Sequence, residues 1–463
     1  MGIILRAVTA FVSLDALRLR RLSSAQIIVL SFAVAILVGG TVLALPISHA
    51  PGHRVHFLDA IFTATSALCV TGLTVVDTGT VFSRFGQVVI LVLIQTGGFG
   101  VITLGTLVAF VSGRRIGFRE RMNLQAQINS MHVGGVVKLI KRILLLIVLI
   151  EGAGVLLLLA PFIAREGVSE GVFYALFHTI SAFNNAGFGL YSDNLVSFVD
   201  HPLVNFTIMG LIILGGLGFI VEIDILSHLR QRNGRKPLFL HTKMVLVATG
   251  LLILLGTVVI WIFEWRNPTT LGPLTLPTKV LAGLFQSVTP RTAGFNSVDY
   301  GQMHEGTLLF TMLLMFIGGS PGSTAGGIKT VTFFVLIGSA WSISRGHGEF
   351  VVFGRRLALE TVVKSGSIAL ISMVMLGAAV TLLLFTENGS EFTALQLGFE
   401  AVSAFGTVGL STGITTHLNP QSEVIIILLM YLGRLGPLTL ALALVEASAE
   451  RRINYPAEDI IIG

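Results

Sequence analysis

FTATSALCVTGL at residues 62–73, FHTISAFNNAGF at 177–188, FQSVTPRTAGF at 285–295 and FEAVSAFGTVGL at 399–410 are four versions of one motif. In three of them the glycine, Gly72, Gly187 or Gly409, stands ten residues after the phenylalanine. Ser-Ala lies between: Ser66-Ala67, Ser181-Ala182 and Ser403-Ala404. The third copy is looser, with Phe285 shifted by one, Val288-Thr289 in place of Ser-Ala, and Gly294 at its end. A large apolar residue follows each glycine: Leu73, Phe188, Phe295 and Leu410. The glycines are 115, 107 and 115 residues apart. A second landmark follows 24 to 28 residues after each: Gly97-Gly98, Gly215-Gly216, Gly318-Gly319 and Gly433-Arg434. Two landmarks in four copies at near-constant spacing mark an internal repeat.

The sequence around the motifs is apolar. The chain has 463 residues, 53% hydrophobic and 12% charged, with a mean hydropathy of +0.87. Soluble domains carry about 25% charged residues, so a lipid-facing exterior is expected here. The 52 glycines fit the close helix packing used in membranes. With Cys69 alone, neither an intrachain disulfide nor a cysteine metal cluster can form. Residues 1–26 are basic and weakly amphipathic, show no cleavable signal pattern, and lead into a full-length apolar segment.

A spanning helix needs about 20 apolar residues. Eight stretches qualify, near 27–46, 85–112, 142–163, 203–229, 244–265, 307–344, 365–385 and 421–447. Within each successive pair lies a shorter run, 58–69, 171–184, 279–290 or 391–405. As helices these runs reach roughly 18–22 Å, too little to cross. Of 30 basic residues, 22 lie before the first span, in 113–142, 230–243 and 345–364, or after 448. The positive-inside rule then places both termini in the cytoplasm, and the short runs enter from outside. The net charge of +6 is thereby assigned to topology rather than to nucleic acid.

The expected fold is an all-α membrane protein with eight transmembrane helices and four re-entrant pore helices. Its divisions are a cytoplasmic segment 1–26, repeats 27–113, 142–230, 244–344 and 357–447, and a cytoplasmic tail 448–463. A backbone that leaves a helix inside a membrane must be buried by protein or line a water-filled path. Four such breaks related by repetition share one axis, where extended backbone presents carbonyl oxygens to a dehydrating cation. Glycine allows the dihedrals and close approach that this needs. The C-terminal ends of the short helices add partial negative charge.

These residues resemble the Trk/Ktr/HKT superfamily of potassium transporters over nearly the whole chain from about residue 25. A single span before the first pore loop is similar to the Ktr-type membrane subunit rather than to Trk-type subunits. The resemblance implies a potassium-selective filter at Val70, Thr71, Gly72, Asn185, Ala186, Gly187, Thr292, Ala293, Gly294, Thr407, Val408 and Gly409. It implies potassium as cargo, bound through backbone carbonyls; sodium is a candidate activator, and no organic cofactor is expected in the chain. The all-glycine filter resembles the potassium-selective members.

The resemblance further implies a cytoplasmic ring of RCK-type regulatory subunits that bind ATP or ADP, and a homodimer in the cell membrane with its lipid. No such regulatory domain is expected in the chain itself. Arg114-Arg115-Ile116-Gly117-Phe118-Arg119 offers a docking surface or a plain topology signal.

The third outgoing helix is interrupted at Gly318, Gly319, Ser320, Pro321, Gly322, Ser323, Thr324, Ala325, Gly326 and Gly327. Proline and glycines there predict unwinding, and the resemblance implies an intramembrane gate that includes Lys329 and Arg434. Ile328 between Gly327 and Lys329, with no preceding strand, excludes a phosphate-binding loop. Arg434 stands where the other copies have Gly98, Gly216 and Gly319. A charge at this depth is costly, so it is expected to face the pore as a barrier or to pair with a carboxylate. Glu151, Glu222, Asp224, Glu400 and Glu446 also lie in apolar surroundings; most of them are expected to be interfacial or paired, and none is singled out as an ion ligand.

Two other transport architectures compete. A secondary transporter, such as a sodium-coupled potassium symporter, usually shows two inverted repeats. The ion-binding subunit of a primary pump carries additional spans. An enzyme is disfavoured, since the 11 histidines show no ligand spacing.

Overall fold

The computed structural model describes residues 24–100, 136–230, 237–346 and 349–436. The run Arg114–Arg119, Glu446, the tail 448–463 and most of 1–26 lie outside the described residues.

Among the described residues, four helices are long and apolar enough to cross a membrane: α1 (Ser24–Leu43), α4 (Val136–Glu166), α8 (Leu240–Glu264) and α12 (Leu359–Thr386). No more than a third of each spanning window is buried within the chain. Their outer faces carry large exposed apolar side chains such as Leu37, Leu156, Ile262 and Phe385. In water such surface costs about 25 cal/mol per Å²; hydrocarbon removes that cost.

Each incoming helix turns into a short one: α2 (Phe57–Leu68), α5 (Val168–Phe183), α9 (Leu276–Val288) or α13 (Ala394–Gly406). The second starts earlier than the expected 171, because Gly167, at φ +82°, is the only residue between it and α4. Each short helix packs on its own incoming helix. The repeated phenylalanines Phe62, Phe177, Phe285 and Phe399 are fully buried, as are the apolar residues after each glycine to within 2%. The motif is therefore the core of the molecule.

The outgoing helices are α3 (Arg84–Phe99), α6 (Pro202–Leu217), α10 (Glu305–Phe316) and α14 (Pro420–Leu435). Each packs against the short helix of the next unit: α3 on α5, α6 on α9, α10 on α13, and α14 back on α2. The fourth contact closes the chain into a ring of four units.

Of the outgoing helices, the third is interrupted as expected, and the second, expected as one stretch near 203–229, is sharply bent. At 12 to 16 residues these helices reach roughly 18–24 Å. Three stop at glycines with positive φ: Gly100 (+82°), Gly218 (+96°) and Gly436 (+79°). At these glycines ψ lies between +134° and +142°, outside the left-handed helical region, in a conformation that glycine alone adopts readily, and the chain leaves the helix there. After Gly218 the chain re-forms as α7 (Phe219–Arg230), bent 100° from α6. In the third unit Pro321 occupies the place of those glycines and cannot take a positive φ. There the helix ends at Phe316, a loop follows, and α11 (Thr330–Ser344) begins. The described residues thus hold four crossing helices, or five with the bent pair; the lower parts of the second and eighth expected spans lie outside them. The strands β1 (Val351–Val352) and β2 (Arg355–Arg356) form one small hairpin.

Gly218→Ala is expected to lower the thermal unfolding midpoint in detergent. A methyl group there would lie 2.7 Å from Pro321 O, on top of about 1–3 kcal/mol for a side chain held at φ +96° and ψ +134°. An unchanged midpoint would show that the bend tolerates an ordinary residue.

Candidate functional site

The four motif glycines meet. A Cβ on Gly72 would lie 3.0 Å from Gly187 Cα, one on Gly187 2.9 Å from Gly294 Cα, one on Gly294 3.3 Å from Gly409 Cα, and one on Gly409 2.9 Å from Gly72 Cα. Their φ values are +96°, +72°, +75° and +90°. Two residues earlier, Val70, Asn185, Thr292 and Thr407 also have positive φ, between +50° and +72°. Thr71, Ala186, Ala293 and Val408 between them do not. In an ordinary strand successive carbonyls alternate. A left-handed residue on each side of an ordinary one breaks that alternation and turns neighbouring carbonyls to one side.

The backbone donors are tied back. Thr71, Ala186 and Val408 N–H donate to the carbonyls of Ser66, Ser181 and Ser403, each at 2.8 Å. Gly72 and Gly409 N–H donate to the hydroxyls of Ser66 and Ser403 at 3.0 and 3.1 Å. The looser third copy has a physical account. Ala293 N–H donates to Thr289 O at 2.9 Å, four residues back rather than five. The shorter closure absorbs the residue that this copy lacks.

The acceptors are bare. Among the described residues, none of the carbonyls of Val70–Gly72, Asn185–Gly187, Thr292–Gly294 or Thr407–Gly409 accepts a hydrogen bond. Buried backbone carbonyls are nearly always paired, so three together in each of four segments are exceptional. Each short helix also ends within six residues of its glycine, which adds its negative pole to the same place. Among the described residues no group of three or more His, Cys, Asp or Glu side chains gathers to hold a metal. The ring is suited to a cation held by backbone oxygen.

Below the ring, Gly97, Gly215 and Gly433 each leave no room for a Cβ against the carbonyls of Leu68, Phe183 and Phe405, where the short helices end. The glycine pairs are seats for those ends. In the third unit the loop between α10 and α11 lies across this level. Ser320 and Thr324 N–H donate to Gly216 O and Gly215 O at 3.0 and 3.2 Å, and Phe219 N–H donates to Gly322 O at 3.1 Å. The Thr324 hydroxyl lies 3.0 Å from Gly215 O and 3.3 Å from Phe183 O. Gly326 abuts the Thr407 side chain so closely that a Cβ could not fit. Lys329 Nζ donates to Ala325 O at 2.8 Å and staples the loop internally.

Among the described residues Arg434 makes no salt bridge; its guanidinium donates to Thr324 O in the loop and to Gly97 O in the first unit. It ties the fourth unit to the first and third beneath the ring.

The buried acids divide. Glu151 Oε1 accepts from Gln95 Nε2 at 3.1 Å, and Asn184 Nδ2 lies 2.9 Å from Gln95 Oε1. This cluster joins the first and second units; Gln95 was not singled out in the sequence because its contact with Asn184 spans 89 residues. Asp224 accepts from Phe239 N–H at 2.9 Å and from the Thr242 hydroxyl at 2.8 Å. Glu222, only 5% exposed, has no hydrogen-bond partner among the described residues.

Apolar crossing helices define a membrane protein, and the family into which it falls is one of transporters, not of enzymes. The chain belongs to the TrkH family of cation transport proteins, whose model matches residues 2–452. It is 42% identical to the Ktr system potassium uptake protein B of Bacillus subtilis, over 96% of this chain and 97% of that one. It is 39% identical to the potassium/sodium uptake protein NtpJ of Enterococcus hirae, over 96% of this chain and 98% of that one. The crystal structure of the potassium transporter TrkH from Vibrio parahaemolyticus superposes with a TM-score of 0.72 at 19% identity, covering 92% of this chain and 86% of that one. The last likeness establishes a shared fold.

Proposed function

We propose that this chain carries potassium into the cell through the axis of the four-glycine ring, in a channel-like manner. The observation that carries this reading is the set of bare carbonyls of Val70–Gly72, Asn185–Gly187, Thr292–Gly294 and Thr407–Gly409. Oxygens in this number replace a hydration shell. The relatives' names, potassium uptake and potassium/sodium uptake, support the choice of ion.

In this reading the repeats 27–113, 142–230, 244–344 and 357–447 surround the pore, with both termini cytoplasmic in the cell membrane. The loop Gly318–Gly327, with Lys329 and Arg434, gates it from below. A cytoplasmic nucleotide-binding RCK-type ring regulates a homodimer of the chain; the word "system" in the relatives' names fits such a partner. The test is potassium uptake in a host without uptake systems of its own, with and without a regulatory subunit. Growth at low potassium that depends on the chain is expected, and no uptake under either condition would defeat the reading.

A second reading, sodium-coupled symport, is favoured by the name of the Enterococcus hirae relative. Liposome uptake that persists with sodium absent from both sides is expected for the channel-like pore; strict sodium dependence would select the symporter.

A further inference from the structure

One position in each motif was left without a role: the residue after the phenylalanine, which is Thr63, His178, Gln286 and Glu400. All but the first reach the same point of the segment leaving the ring. His178 Nε2 accepts from Leu190 N–H at 3.3 Å, while its Nδ1–H donates to Tyr174 O at 2.8 Å. With its amide oxygen turned to the nearby donors, Gln286 accepts from Ser297 N–H at 3.0 Å and Val298 N–H at 2.9 Å, and donates to the Tyr300 hydroxyl at 2.8 Å. Glu400 Oε1 accepts from the Ser411 hydroxyl at 2.5 Å and Thr412 N–H at 3.2 Å, and Oε2 accepts from the Thr415 hydroxyl at 2.9 Å. Leu190, Ser297 and Thr412 each stand three residues after the ring glycine. The Thr63 hydroxyl instead donates within its own helix, to Asp59 O at 2.8 Å.

Three chemically different side chains therefore make one contact. That contact fixes the far side of a ring segment whose near side is fixed by Ser181 O, Thr289 O or Ser403 O. Glu400 is fully buried and gathers three donors from the exit segment. It does not touch the carbonyl set. Buried hydrogen bonds of this kind make a segment rigid because the alternative is several unpaired groups at once.

We infer that Glu400 is a positioning residue for ion selection: with His178 and Gln286 it holds the exit segments so that the ring carbonyls keep one spacing. A ring held at one spacing prefers one ion radius; a ring free to contract accommodates the smaller sodium ion. The inference rests on the pore reading.

The test is the potassium-to-sodium flux ratio of the full chain in liposomes, with Gly72→Ser measured beside it. Glu400→Ala removes all three acceptor contacts and is expected to lower the ratio about tenfold. Glu400→Gln keeps an acceptor for Ser411 and Thr412 and presents a donor to the Thr415 oxygen, so it is expected to restore most of the ratio. A merely structural role would lower yield or stability in both and leave the ratio unmoved.

If Glu400→Ala does not fold, the double variant Ser411→Ala, Thr415→Val removes two of the three donors from outside the short helix. A fall of about threefold is expected. A wild-type ratio in folded Glu400→Ala, or in the double variant, overturns the inference when Gly72→Ser lowers the ratio in the same assay. A wild-type ratio in Gly72→Ser as well removes the pore reading and the inference together.

Discussion

Gly72→Ser is expected to lose at least about tenfold in potassium-over-sodium discrimination, measured as competing fluxes into liposomes. Two effects act in the same direction. At φ +96° a side chain is strained, by about 1–3 kcal/mol. Its Cβ would also lie 2.5 Å from Ala186 O and 3.0 Å from Gly187 Cα, so neighbouring backbone must yield. That backbone is the adjoining segment of the ring. Little else in it can give way, because Ala186 N–H is held by Ser181 O and Gly72 N–H by the Ser66 hydroxyl. The strain therefore spreads into carbonyl positions, and about 1.4 kcal/mol of lost preference is tenfold. The same argument covers Gly187, Gly294 and Gly409, each of whose Cβ positions meets the next segment. A folded Gly72→Ser variant with unchanged discrimination would remove Gly72 from the ion's path.

The ring was legible in the sequence because its requirements are local and repeat four times. A fully buried phenylalanine, a glycine at positive φ and an apolar residue after it recur at fixed spacing. The broken third outgoing helix was legible for a similar reason, since proline cannot hide in a helix. The other breaks were not. Gly100, Gly218 and Gly436 follow closely on other glycines in apolar runs, where each reads equally well as a packing contact. The available signal was their common distance, three residues after Gly97, Gly215 and Gly433. Arg434 was expected to be either a barrier or half of an ion pair. Among the described residues it has no carboxylate partner and caps two carbonyls on other units, a geometry set by chain closure over 110 and 337 residues, which no local pattern encodes. Glu400 was noticed as an acid in apolar surroundings, but its partners lie 11 to 15 residues on, across the ring segment.

Deleting residues 319–326 is expected to raise ion flux several-fold. The ends of the loop are already together. Ile317 pairs with Ile328, Gly318 N–H donates to Ile328 O at 2.8 Å, and a Cβ on Gly318 would lie 3.1 Å from Gly327 Cα. Joining Gly318 to Gly327 therefore spans a gap that one peptide bond nearly covers, at about 3.8 Å between Cα atoms. The deletion removes the donors on Gly215 and Gly216 carbonyls and the acceptor for Phe219 N–H. Water in an opened pore can take their place, whereas lipid cannot. It also removes Thr324 O, one of the two acceptors of Arg434. Arg434 keeps Gly97 O, so a charge remains below the ring after the loop is gone. Adding Arg434→Ala to the deletion is then expected to raise flux further, and Arg434→Ala alone to raise it less than the deletion, because the loop keeps its bonds to the second unit. Normal folding with wild-type flux in the deletion variant would show that the loop is a brace rather than a gate.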